Sequence, residues 1–345
     1  MRIYVALVVL TCLINTALAS ETAQVHQALK ETGRHQLNLL VGAPDQQTIL
    51  PITVVTGSNQ GRTLLVLAGV HGSEYAPIVA TQRLAVKIAP GDMSGSVIFV
   101  HIANLPAYLG RTVYTSPVDG KNLNRLFPGN ENGGLSERIA YTLSNELYPL
   151  ADALLDVHSG DGNEDLRPFW TGYYANAGDA DVVAKSKAMA HAFGLPYVVE
   201  FQWELKDPRA AIWAGSSAVA SGIPSIDVEA GGMGIIDEHA VNAIEQGILR
   251  TMAHLSIIDQ KFSPPKDQTL IKERHSVKSP EHGSWVSLKA AGQKVSEGEL
   301  LGYVTDWHGR RIFDARAPID GLLLLRLSAP PVRKGETLAI VAAAQ

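Results

Sequence analysis

Between about residue 36 and residue 257, short apolar runs of strand length alternate with longer segments of helical spacing, and this alternation commits the chain to a layered α/β sheet. The runs at 36–41 and 48–56 read as a hairpin, and further strands are expected at 63–70, 96–103, 153–158, 197–201 and 224–229. Helices are expected at 75–88, 136–147, 179–193, 209–220 and 237–257. In open sheets of this kind ligand crevices form beyond the carboxyl ends of the strands, so polar residues directly after an apolar run are the first place to look for chemistry. With 46% hydrophobic and 18% charged residues the composition is that of a folded globular chain, which excludes disorder as the ground state.

The pattern changes at Ser263-Pro264-Pro265-Lys266. Beyond it, glycines punctuate short apolar runs, the spacing of a small all-β unit over 263–345. Trp307-His308 within that unit reads as a loop tip. At the other end, residues 1–19 carry an early basic residue, an apolar stretch and Ala17-Leu18-Ala19, the features of a cleaved secretory signal. The expectation is therefore a periplasmic or secreted protein with a catalytic unit over 20–262. The one cysteine, Cys12, falls in the signal, so the mature chain would hold no disulfide. No later stretch is long and apolar enough to span a bilayer, and a net charge of −5 argues against nucleic acid as a partner.

Two strand exits carry metal-ligand chemistry. His71 and Glu74, in Gly69-Val70-His71-Gly72-Ser73-Glu74, follow the run at 63–68, and His158 ends the run Ala153-Leu154-Leu155-Asp156-Val157. Two imidazoles and one carboxylate make a zinc site with its fourth position open for water, the arrangement of a catalytic rather than a structural zinc. Bound water then approaches a pKa of about 7. A lone histidine after a strand is more often a satisfied core residue; the company of His71 and Glu74 tips His158 toward a ligand. His101 reads as structural, and His191, His239 and His254 sit in helical segments without partners at ligand spacing.

Taken with Asn122-Leu123-Asn124-Arg125-Leu126-Phe127-Pro128-Gly129 and Val228-Glu229-Ala230-Gly231-Gly232, these motifs resemble those of the succinylglutamate desuccinylase/aspartoacylase family, a branch of the zinc carboxypeptidase-like hydrolases. The resemblance spans most of residues 36 to 344. It implies a zinc carboxypeptidase-like mixed sheet flanked by helices with a small C-terminal β domain, and one Zn2+ per chain on His71, Glu74 and His158. Glu229 takes the place of the general base, passing a proton from water to the departing amine. Arg111 falls in the stretch that supplies the family's carbonyl-polarising arginine. Asn124 and Arg125 match the pair that grips the substrate carboxylate. Arg209, ahead of the strand to Glu229, is a candidate for a second acidic group.

The expected activity is a zinc-dependent amidohydrolase acting on a small N-acyl amino acid. A metallocarboxypeptidase working on peptides or cell-wall peptide stems shares the same groups. A non-catalytic zinc-binding module is a third reading, which the presence of Glu229 and Arg111 disfavours.

Overall fold

In a computed structural model, which describes residues 21–203, 205, 207–263 and 267–343, the chain forms one large mixed sheet and two smaller antiparallel ones. The signal segment at 1–19 and residues 264–266 of the proline-rich boundary lie outside the described residues.

In chain order, helix α1 (Glu21–Ala28) leads into strands β1 (Gly33–Ala43), β2 (Gln46–Thr56) and β3 (Asn59–Ala68). Helix α2 (Tyr75–Lys87), strand β4 (Ser94–Val100), helix α3 (Leu105–Gly110) and helix α4 (Leu135–Thr142) follow. Then come β5 (Ala153–His158), β6 (Glu164–Leu166), β7 (Trp170–Tyr174), α5 (Ala180–Phe193), β8 (Tyr197–Phe201), α6 (Ala214–Ala220), β9 (Ser225–Glu229) and α7 (Glu238–His254). Strands β10 (Thr269–Ile271), β11 (Arg274–Lys278), β12 (Gly283–Ser287), β13 (Lys294–Val295), β14 (Leu300–Thr305), β15 (Arg311–Arg316), β16 (Gly321–Leu327), β17 (Pro331–Val332) and β18 (Thr337–Ala342) complete the chain.

The nine-stranded sheet runs β1-β2-β4-β3-β5-β9-β7-β8-β10, with β4, β3, β5 and β9 parallel at its centre. Its central strands are buried on both faces, which is why β3 reads from Leu64 to Ala68 as an unbroken apolar run. Leu64 and Val66 pack under α2, α5 and α7, while Leu65 and Leu67 pack under α1, α4 and α6. Parallel strands put their carboxyl ends on one edge, so the residues leaving β3, β5 and β9 meet there.

Two expectations need correction. The helix expected at 209–220 is a 3-10 turn, Pro208–Ala210, followed after a break by α6. The break has a cause: Ile212 spends its carbonyl on the Phe127 amide (3.3 Å), and Trp213 is extended at the helix entry, its amide donating to Ser216 Oγ. The stretch between β5 and α5, which carries no strong period, contains the short strands β6 and β7.

The two β regions also exchange strands. β10 joins the large sheet beside β8, and β6 pairs antiparallel with β16 of the C-terminal sheet ordered β11-β18-β16-β13. The change of pattern at 263 is therefore a change of composition that the sheets cross in both directions.

His101 is buried between Thr53 Oγ1 (2.8 Å) and Thr81 Oγ1 (3.2 Å), and burial lowers its pKa from 6.5 to about 4. The native state then refuses a proton that the unfolded chain accepts below pH 6.5. Stability should fall by about 3 kcal/mol as pH drops from about 6.5 to about 4 on this account alone. Denaturant midpoints of wild type and His101→Gln across that range test it: the variant should lack this part of the pH slope, and an equal slope in both would refute the assignment.

Candidate active site

Gly69, at a φ of 67°, turns the chain sharply as it leaves β3, with Ile102 Cα only 2.9 Å from where a Cβ would stand. The turn delivers His71 to the sheet edge and places Glu74 at the entrance of α2. Glu74 occupies the N-cap position but makes no capping hydrogen bond. Its carboxylate is turned instead to the histidines: Oε1 lies 2.7 Å from His71 Nδ1 and Oε2 lies 2.9 Å from His158 Nδ1.

The far nitrogens have acceptors of their own. Asn122 Oδ1 accepts the Asn124 amide (2.9 Å) and stands 3.2 Å from His71 Nε2, so it can accept a proton carried there and leave Nδ1 available to a cation beside Glu74. His158 Nε2 is 3.0 Å from Asp156 Oδ1, an ion-pair distance without hydrogen-bond alignment, which likewise favours the proton on Nε2. Both imidazole Nδ1 atoms then face one carboxylate. Such a buried cluster requires a positive charge among the three groups, and their donor atoms lie within 4.8 Å of one another. The donor set of His71, Glu74 and His158 thus fits a zinc ion.

Without a metal, protons meet the same electrostatic demand. Burial raises the Glu74 pKa, but the two imidazoles outweigh it and hold the carboxyl at about 2. Burial disfavours charge on His158, but Asp156 and Glu74 outweigh it and raise its pKa well above the ordinary range.

Glu229 ends β9 as the register partner of His158 on β5, so candidate base and candidate ligand are direct neighbours across two parallel strands. Its Oε2 is buried without a hydrogen-bond partner among the described residues, and burial pushes its pKa well above the usual carboxyl value. These groups line a cavity of about 600 Å3 that Asn124 and Arg125 also reach. Asn124 Oδ1 accepts the Ala214 amide at the start of α6 (2.9 Å), and Arg125 lies over the Trp213 ring, 5.8 Å from its centroid.

Residues 60–255 match the family model of the succinylglutamate desuccinylase/aspartoacylase catalytic domain. The chain belongs to the succinylglutamate desuccinylase/aspartoacylase family. It is 32% identical to the N-alpha-acetyl-L-2,4-diaminobutyric acid deacetylase of Halomonas elongata over 301 residues, 85% of each chain. Among solved structures it is similar to a succinylglutamate desuccinylase/aspartoacylase from Rhodobacter sphaeroides, at 27% identity and a TM-score of 0.79 over 92% of this chain and 97% of that one. The product-bound ectoine utilization protein EutE (DoeB) of Ruegeria pomeroyi is likewise similar, at 27% identity and a TM-score of 0.81 over 91% and 97%.

Within this family member, two expected arginines do not reach the cavity. Arg111 closes α3 in the left-handed conformation, at a φ of 52°, and its side chain is exposed outside the cavity wall. Arg209 is exposed and paired with its neighbour Asp207, Nη2 to Oδ2 at 3.0 Å. In the sequence both precede motif residues, but a helix end and a local ion pair take them.

Other residues reach the site unannounced. Tyr114 lies edge-on to the His71 ring and donates its hydroxyl to Glu164 Oε1 (2.9 Å). Asp161 accepts the Ser73 hydroxyl and the Tyr114 amide, tying the loop after β5 to the His71 turn. Asp156 was legible, two places before His158 on one strand and so on the same face. Its carboxylate lies 3.0 Å from His158 Nε2 and raises the basicity of that ring, and Asp156→Asn should lower zinc affinity about 10- to 100-fold. Competition with a chelator of known affinity measures this; wild-type affinity in the variant would remove Asp156 from the metal's surroundings.

Proposed function

We propose that the chain is an exported zinc-dependent deacylase that hydrolyses the amide bond of a small N-acyl amino acid. One observation carries the reading: His71, Glu74 and His158 converge on a point beside the unpartnered Oε2 of Glu229, in a cavity that also presents Arg125. The family membership and the deacetylase named among its relatives support the choice of an amide bond as the target.

When bound by His71, Glu74 and His158, zinc would supply Lewis acidity toward water and carbonyl oxygen, and a positive charge that favours the ionised form of Glu229. Arg125 holds the substrate carboxylate and thereby fixes the scissile carbon relative to Glu229. Glu229 Oε2 accepts a proton as water oxygen bonds to the carbonyl carbon. The same oxygen then returns that proton to the amide nitrogen as the carbon–nitrogen bond breaks, leaving an amine and a carboxylic acid, whose remaining proton passes to the amine to give carboxylate and ammonium. Asn122 and Asp156 keep both imidazole protons on Nε2 throughout.

Purified protein should contain one zinc and turn over N-acyl amino acids in a mass-spectrometric panel, with little release of C-terminal residues from short peptides. Release from peptides instead would favour the carboxypeptidase reading. Zinc with no turnover of either class would favour the binding module. Export rests on the character of residues 1–19; N-terminal sequencing of protein from the periplasm of a bacterial host should begin at Ser20, and protein retained in the cytoplasm with Met1 intact would overturn it.

A further inference from the structure

Amide hydrolysis is helped most by a hydrogen-bond donor placed where the carbonyl oxygen gathers charge, and Arg111 was the residue expected there. Arg111 stands outside the cavity wall. Arg125, which does line the cavity, is assigned to the substrate carboxylate and already donates to the Asn124 carbonyl (2.7 Å). Three residues beyond Arg111, Tyr114 lines the cavity with its ring edge-on to His71, the centroids 6.1 Å apart and the planes at 86°. A phenol therefore stands directly beside a candidate metal ligand.

More than packing holds this ring in place. Tyr114 has a φ of 62°, in the left-handed region that a bulky residue keeps only when its surroundings over-determine it. Its amide donates to Asp161 Oδ2 (3.0 Å), and Asp161 Oδ1 in turn accepts the Ser73 hydroxyl and the Gly162 amide (2.8 Å). Its hydroxyl donates to Glu164 Oε1 (2.9 Å), while Glu164 Oε2 accepts the Asp161 amide (3.1 Å). Both ends of the tyrosine are thus fixed by the short stretch that joins β5 to β6. A costly backbone conformation maintained by converging hydrogen bonds, and delivering an O–H group to the cavity, is the build of a preorganised donor. Glu164 can also free that hydrogen. Burial raises its carboxyl above the ordinary pKa, and as a neutral acid it donates to the Tyr114 oxygen and leaves the phenolic hydrogen for a ligand.

We propose that Tyr114 is a catalytic residue that donates a hydrogen bond to the carbonyl oxygen of the scissile amide as that oxygen becomes an oxyanion, the part expected of Arg111. The carbonyl π pair moves onto this oxygen when water oxygen bonds to the carbon, and it returns when the carbon–nitrogen bond breaks. Tyr114 keeps its own proton throughout. The catalytic role rests on the deacylase reading; the donor can be tested without turnover.

Tyr114→Phe removes one oxygen and keeps the ring against His71. With N-acetyl amino acids the variant should lose about 100-fold in kcat, with KM changed by less than about 3-fold and zinc content at the wild-type level. Calorimetric titration with the methylphosphinate isostere of N-acetyl-L-alanine, which carries a tetrahedral oxyanion in place of the amide carbonyl, should show the same loss, about 100-fold in affinity. A kcat within a few fold of wild type, a loss taken up in KM alone, loss of zinc, or phosphinate that binds both proteins equally or neither of them would overturn the assignment. Wild type that hydrolyses no N-acyl amino acid, yet binds the phosphinate through the Tyr114 hydroxyl, would keep the donor and lose the deacylase.

Discussion

Replacing Glu229 by glutamine should lower kcat by about 10³-fold while zinc content stays at the wild-type level. The separation follows from geometry. The candidate metal donors are His71, Glu74 and His158, and Glu229 stands beside them on the next strand with one oxygen unpartnered. Glutamine keeps the shape and removes the proton acceptor. Because burial makes the Glu229 carboxyl reluctant to ionise, the neutral amide should not cost stability, and the melting temperature should hold or rise. Full turnover in the variant would remove Glu229 as the base, and loss of zinc would show that it belongs among the ligands.

Gly72→Ala should be nearly as damaging by another route. A Cβ at Gly72 would lie 2.2 Å from the Ala107 carbonyl carbon and 2.3 Å from the Tyr108 amide nitrogen, both backbone atoms of α3. Backbone cannot swing aside as a side-chain tip does, so the turn itself must shift. His71 and Glu74 flank that turn. Overpacking of this kind costs about 1–3 kcal/mol in stability, and displaced ligands should lose zinc affinity by about 100-fold or more. Chelator competition and thermal melting measure the two effects. Wild-type zinc affinity in Gly72→Ala would mean that the turn is more pliant than its packing implies.

The central strands were readable because they are buried on both faces: the runs leading to His71, His158 and Glu229 each fix a strand end, and parallel order brings the ends together. The same local logic misled at Arg111 and Arg209. Proximity in sequence to a motif says nothing about a helix that ends in a left-handed residue or an aspartate two places away. Asn122 lay inside a recognised motif, and its service to His71 Nε2 appears only when the loop is folded against the turn after β3. Tyr114 carried no signal at all. A left-handed backbone at that one residue and hydrogen bonds to the stretch after His158 deliver it to the cavity, and neither spacing nor period encodes that meeting.

The exchange of β6 and β10 between sheets makes the molecule a clasp rather than two beads on a string. A protein cut near residue 263 would strip β16 from β6 and expose the apolar surface that Leu166, Trp170 and Val199 share with Leu322 and Leu324. Neither fragment is then a self-sufficient module to be grafted elsewhere, and the two halves should melt as one cooperative unit.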